Sequence, residues 1–158
     1  MTAPLPLAPA LLHFLEQARV GRLATVDAAG LPSVVPICYQ VAEGRLFTPI
    51  DAKPKRADWR RLQRVRNLLA RPRVAVVVDR WSEDWRRLGW VHLRGEAALL
   101  APEAAPEGAP AALHAQGVAL LRAKYAQYRT MALEQRPLIV VTLTAATHWG
   151  DLTPPETP

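Results

Sequence analysis

A chain of 158 residues, half of them hydrophobic, suggests one domain with enough apolar surface for a real core. It contains no run of about 18 apolar residues to span a membrane, and its single cysteine, Cys38, excludes an internal disulfide. With no basic residue ahead of an apolar stretch in Met1–Ala10, a signal peptide is not expected and the reading is cytoplasmic; the formal charge of +6 favours anionic partners.

Ala10–Ala18 has helical apolar spacing after Pro9, and Gly21 ends it. Arg22–Val26 reads as a short strand, followed by the turn Asp27-Ala28-Ala29-Gly30. Leu31–Val41 is a second strand. Pro32 and Pro36 donate no backbone hydrogen bond, so it should lie at an edge or carry a bulge. After Glu43-Gly44 comes Arg45–Ile50, and connections this short make the three strands antiparallel neighbours.

The segment Asp51–Arg73 concentrates the charge, with nine basic and two acidic residues, a local excess of +7. Within it Ala57–Ala70 reads as a helix with an apolar face of Trp59, Leu62, Val65, Leu68 and Leu69, stopped by Arg71-Pro72. Val74–Val78 is a strand. Trp90–Leu100 is another, with Gly95 as a bulge. Ala101–Ala112 looks like an exposed linker, Leu113–Leu133 a helix, and Leu138–Ala145 the last strand. Residues 1–9 form an N-terminal extension, 10–150 the domain and 151–158 a tail expected to be disordered. Six strands with helices at the connections suggest a mainly β, small antiparallel barrel.

The sequence has no glycine-rich phosphate loop, no GxGxxG, no Gly-x-Ser-x-Gly elbow, and no metal-ligand spacing among His13, His92, His114 and His148. No catalytic residue or metal site is assigned. A bound cofactor that carries the reactive atom would leave this silence.

The first candidate site is the turn holding Lys53, Pro54, Lys55 and Arg56, after a strand and before a helix, where free N–H groups and positive charge suit phosphate. A solvated basic loop is the alternative. The second is Ser33-Val34-Val35-Pro36, where proline interruption frees backbone groups for a ligand; a plain edge strand is the alternative. Trp81, Trp85 and Trp90 could form a stacking wall or simply pack. Arg60–Arg66 could contact nucleic acid, but a solvated helix face is favoured because no nucleic-acid motif accompanies it.

GRLATVDAAGLPSVVPICY (Gly21–Tyr39), DAKPKR, the stretch Arg61–Ala97, KYAQYR (Lys124–Arg129) and Thr147-His148-Trp149 together resemble the pyridoxamine 5′-phosphate oxidase-like, FMN-binding split-barrel superfamily. Lys-Pro-Lys with Glu-Asp-Trp is similar to its branch of deazaflavin (coenzyme F-420)-dependent enzymes. The resemblance implies a six-stranded antiparallel split β-barrel with connecting helices, and a homodimer with FMN or coenzyme F-420 at the interface. It implies that Ser33–Pro36 lie along the cofactor, that Thr48, Pro49 and Ile50 border its ring, and that Lys53–Arg56 bind its phosphate. It also brings in Trp85 and Trp149.

Val34 and Val35 stand where the oxidase pattern has an arginine, and its C-terminal arginine–histidine motif is missing, which argues against vitamin B6 phosphate oxidation. The expected function is an oxidoreductase moving a hydride between the cofactor and a small organic substrate. A non-catalytic flavin-binding or carrier protein is the first alternative, nucleic-acid binding the second.

Overall fold

The computed structural model describes residues 3–51, 58–104 and 107–154. Helix α1 (Pro9–Gln17) starts with proline in its first turn and buries Leu11, Phe14 and Leu15. Strands β1 (Gly21–Val26), β2 (Pro32–Ile37), β3 (Gln40–Ala42) and β4 (Arg45–Pro49) follow. Next come α2 (Gln63–Ala70), β5 (Arg73–Arg80), β6 (Gly89–Leu100), α3 (Ala109–Lys124) and β7 (Leu138–Gly150). The strands form one antiparallel sheet in the order β2-β1-β5-β6-β7-β4-β3. The molecule is therefore mainly β with three α-helices, in keeping with a split barrel.

Two expectations change. The described residues contain seven strands, not six, and the sheet is not closed: its edges β2 and β3 share no ladder. Both differences come from Cys38-Tyr39, which divides the stretch read as one strand. The Tyr125 hydroxyl accepts from the Tyr39 N–H at 2.9 Å and lies 2.9 Å from the Tyr39 carbonyl, so these groups pair with a side chain rather than a strand. The chain turns there and joins the two edges covalently. Of the edge or bulge that its prolines led one to expect, β2 is an edge, paired among the described residues only with β1.

Helix boundaries also move. The segment expected as one helix over 57–70 is a 3₁₀ turn, Trp59–Arg61, then α2. The Asp58 side chain accepts from the Arg60 N–H and closes the turn, and extended Leu62 packs on the core. Leu69 is 67% exposed, whereas Asn67 takes a buried place and donates to Thr25 Oγ1 at 2.9 Å. Helix α3 begins inside the expected linker, at Ala109, and ends at Lys124, because Tyr125 has an extended backbone. The last strand runs on to Gly150 because the 12-residue β6 offers it a partner along its whole length. The expected irregularity at Gly95 is present as a register shift between Arg94 and Gly95.

Strand alternation puts Leu23, Val74, Val76, Val78, Val91 and Leu93 inside. Leu93 and Leu23 are fully buried, each contributing about 1.5–3 kcal/mol of hydrophobic stabilisation. A second cluster, Phe47, Val118, Leu121, Tyr128, Leu133 and Leu138, seats α3 on β4 and β7. Between α3 and the sheet lies Gly117, where a Cβ would come within 2.6 Å of the Phe47 ring and 2.7 Å of Leu138. Among the described residues no helix is long and apolar enough to cross a membrane.

Candidate functional site

The corner after β2, the end of β4 and the inner edge of α2 enclose a pocket of about 230 Å³, lined by Val20, Pro36, Ile37, Cys38, Thr48, Pro49, Asp51, Arg64 and Tyr128. Each element arrives for a local reason. The edge strand ends at Ile37, just after Pro36, and the Tyr39–Tyr125 bonds turn the chain at Cys38. The end of β4 is held by the Ile50 N–H donating to the Pro137 carbonyl at 3.0 Å and by Arg136 reaching the Ile50 and Asp51 carbonyls at 3.3 and 3.4 Å. Asn67 pins α2 to β1 through Thr25.

Arg64 is the one cation lining this pocket among the described residues. Burial pushes its guanidinium below the ordinary arginine value, while Asp51 and Tyr128 pull the other way. Tyr128 is buried, which raises its phenol pKa, and its hydroxyl lies 3.5 Å from Asp51 Oδ2. The pocket thus carries one guanidinium, Arg64, and one carboxylate, Asp51, among proline and tyrosine surfaces.

Of the residues singled out from sequence, Pro36, Thr48 and Pro49 meet here, with Ile50 buried just behind at 1% exposure. Ser33, Val34 and Val35 lie farther along β2: Val34 points outward, while Ser33 and Val35 are half-buried. Trp85, on the 3₁₀ turn Trp85–Arg87, and Trp149, paired with Trp90 across β7 and β6, are exposed and do not line the pocket. Lys53, Pro54, Lys55 and Arg56 lie outside the described residues; Asp51, the last described residue before them, lines the pocket.

Sequence reasoning missed Arg64, Cys38 and Tyr128 as pocket residues. The signal for Arg64 was its place one turn before Leu68, at the border of the helix's apolar face. Other arginines of the basic segment serve the fold. Arg71 donates to the Asp27 and Ala28 carbonyls at 2.9 and 3.0 Å, fixing the β1–β2 turn, and Arg60 pairs with Glu103 at 3.0 Å.

A second pocket of about 570 Å³ adjoins the first and shares Val20 and Cys38 with it. Its charged liners are Arg19, Lys124 and Arg129. Lys124 Nζ donates to the Leu15 carbonyl at 2.9 Å and sits 4.1 Å from the Tyr39 ring centre. Burial, then Arg19, hold its pKa down to about 8.

The open antiparallel sheet is in keeping with the split-barrel class of protein, and solved structures share the fold. A conserved hypothetical protein from Mycobacterium tuberculosis matches with a TM-score of 0.66 at 19% identity, over 95% of this chain and 89% of that one. A heme binding protein from Mycobacterium smegmatis matches at 0.65 and 19%, over 92% of this chain and 56% of that one. An F420 reductase matches at 0.60 and 24%, over 90% and 98%. At these identities the likeness shows the fold. The sequence pattern of the pyridoxamine 5′-phosphate oxidase family matches residues 7–150, and the chain belongs to that family. No curated protein sequence matches it.

Proposed function

We propose that this chain is an oxidoreductase that holds FMN or coenzyme F-420 in the corner pocket and passes a hydride between it and a small organic substrate. The observation that carries the reading is the meeting of Pro36, Thr48 and Pro49 with the half-buried Arg64 in one cavity. The residues fit one end of such a molecule: Arg64 would take its phosphate, and Pro36 and Pro49 would border its apolar part. At about 230 Å³ the cavity is smaller than the roughly 300–1,000 Å³ usual for small-molecule sites. The rest of the cofactor would therefore lie over β2, whose outer edge has no strand partner among the described residues.

When bound, the flavin or deazaflavin ring supplies the hydride chemistry. The chain's own residues bind, orient and exclude water. Lys53, Lys55 and Arg56 would add charge at the phosphate. Arg19, Lys124 and Arg129 make the adjoining pocket suited to a substrate with an anionic group.

The homodimer remains part of the proposal. Val34 (63% exposed) and Val77 (37% exposed) stand on the outer face of β2-β1-β5 with Ala24 and Ala75, next to the Arg22–Asp79 ion pair, a mixed surface a second copy would cover. That copy would complete each site, with Trp85 and Trp149 as contributors.

Titration with FMN and with coenzyme F-420, followed by fluorescence, tests the reading. Binding of either at tens of micromolar supports it, and binding of neither sinks it. Turnover of the reduced cofactor against quinones and unsaturated carbonyls separates an enzyme from a carrier. Heme binding is a second reading, favoured by a separate pocket of about 510 Å³ whose lining includes His13 and His148. Hemin titration of wild type and His13→Ala decides it: no Soret shift, or an unchanged one in the variant, removes this reading.

A further inference from the structure

Between the C-terminal end of β6 and the first turns of α3 lies a pocket of about 400 Å³, and none of its lining residues belongs to the corner pocket. Its walls include Leu99, Leu100, Pro102, Pro110 and Ala111, and its polar side chains are His114 and Glu134. This volume falls within the roughly 300–1,000 Å³ usual for small-molecule sites.

His114 is only 7% exposed, and its Nε2 lies 2.7 Å from the Arg136 carbonyl oxygen. A carbonyl can only accept, so Nε2 carries the hydrogen and donates. In the neutral ring Nδ1 is then a bare acceptor. It has no hydrogen-bond partner among the described residues. Nor is it sealed in: the enclosed, unpartnered side-chain atoms among those residues are His13 Nε2 and Gln40 Oε1. His114 lines this pocket. An unpartnered acceptor on a largely buried ring that lines an apolar cavity suits a donor.

The carboxylate of Glu134 does not change that demand into one for a cation. It is taken up by the Arg122 guanidinium, with Nη2 at 2.8 Å from Oε2. Arg122 is fixed in turn by the Tyr128 and Met131 carbonyls at 3.0 and 2.7 Å.

We propose that this pocket is a second binding site, for a small apolar molecule with one neutral O–H or N–H donor, of the phenol or indole class. The apolar walls hold the ring and His114 Nδ1 accepts its hydrogen. The site stands apart from the cofactor reading, and its test does not depend on a loaded cofactor.

The experiment is an amide chemical-shift titration of the full-length protein with phenol and, separately, with toluene, which has a similar ring and no donor. Phenol is expected to shift the signals of Leu100, Ala111 and His114 saturably and to bind about tenfold more tightly than toluene. Ala111→Phe, which fills the cavity from its wall, is expected to abolish these shifts. His114→Phe is expected to bring phenol and toluene to equal affinity. Should His114→Phe fail to fold, the two probes on the wild type and the Ala111 variant still decide the matter. No saturable shift with phenol, equal affinity of the wild type for both probes, or an Ala111→Phe variant that binds phenol unchanged would each overturn the proposal.

Discussion

Arg64 differs from its neighbours in what surrounds it. Arg60, Arg66 and Arg71 have exposed side chains and pair with groups of the fold, whereas Arg64 is half-buried at a pocket wall. Arg64→Ala should weaken cofactor binding by about 1.5–3 kcal/mol with little change in melting temperature, as a fluorescence titration and a thermal melt will show together. Tyr125 serves structure instead. Its hydroxyl accepts from the Tyr39 N–H and reaches the Tyr39 and Arg19 carbonyls, each at 2.9 Å. Tyr125→Phe leaves buried backbone groups of Tyr39 unpaired and should cost about 1–3 kcal/mol in chemical denaturation. Lys124 sets a pH dependence. Folding lowers its pKa from 10.5 to about 8, so the unfolded chain holds this proton more tightly. Its unfavourable contribution is fully present below about pH 8 and fades as pH rises toward 10. Above that, Tyr125, whose pKa burial raises to about 12 from 10.0, begins to oppose the trend. Lys124→Met should remove the rise in stability between pH 8 and 10 seen in urea melts of the wild type.

At the scale of elements, what the sequence states locally is what survives. The prolines of β2 place it at an edge, the VAVVV run is the centre of β5, and Gly95 marks the irregularity in β6. A Cβ at Gly95 would collide with the Thr142 carbonyl oxygen and come within 2.7 Å of Val141. Gly95→Val should therefore destabilise the β6–β7 ladder by about 1–3 kcal/mol, measurable by thermal denaturation. What could not be read was decided at long range. Leu31–Val41 looks like a single strand because its residues are apolar and β-branched. It breaks because Tyr39 bonds a hydroxyl 86 residues away. Residue 64 looks like one more solvated arginine until the Cys38 corner and the end of β4 close against it. Leu69 fits an ideal helical face, yet the 3₁₀ turn and the extended Leu62 before α2 reset the phase, and Asn67 takes the buried place.

For the whole molecule, the antiparallel sheet was legible because turn residues and apolar runs encode it directly, and the family through the resemblance carried by stretches such as Gly21–Tyr39. Strand number and closure depend on one corner and were not. The proposed dimer face joins Val34 on β2 and Val77 on β5, which share one face of the sheet across β1, Val34 level with Ala24 and Val77 with Arg22. If a second copy covers it, the Val34→Lys, Val77→Lys double variant will run as a monomer in size-exclusion chromatography with light scattering, where the wild type runs as a dimer, and will lose cofactor affinity. A wild-type monomer would remove the shared site. The most direct measurement of all is the paired titration of wild type and Arg64→Ala with FMN and coenzyme F-420. Saturable binding of at least one cofactor at tens of micromolar, clearly weakened in the variant, is the expected result. Binding of neither, or equal binding by both proteins, would contradict a cofactor phosphate seated at the corner pocket.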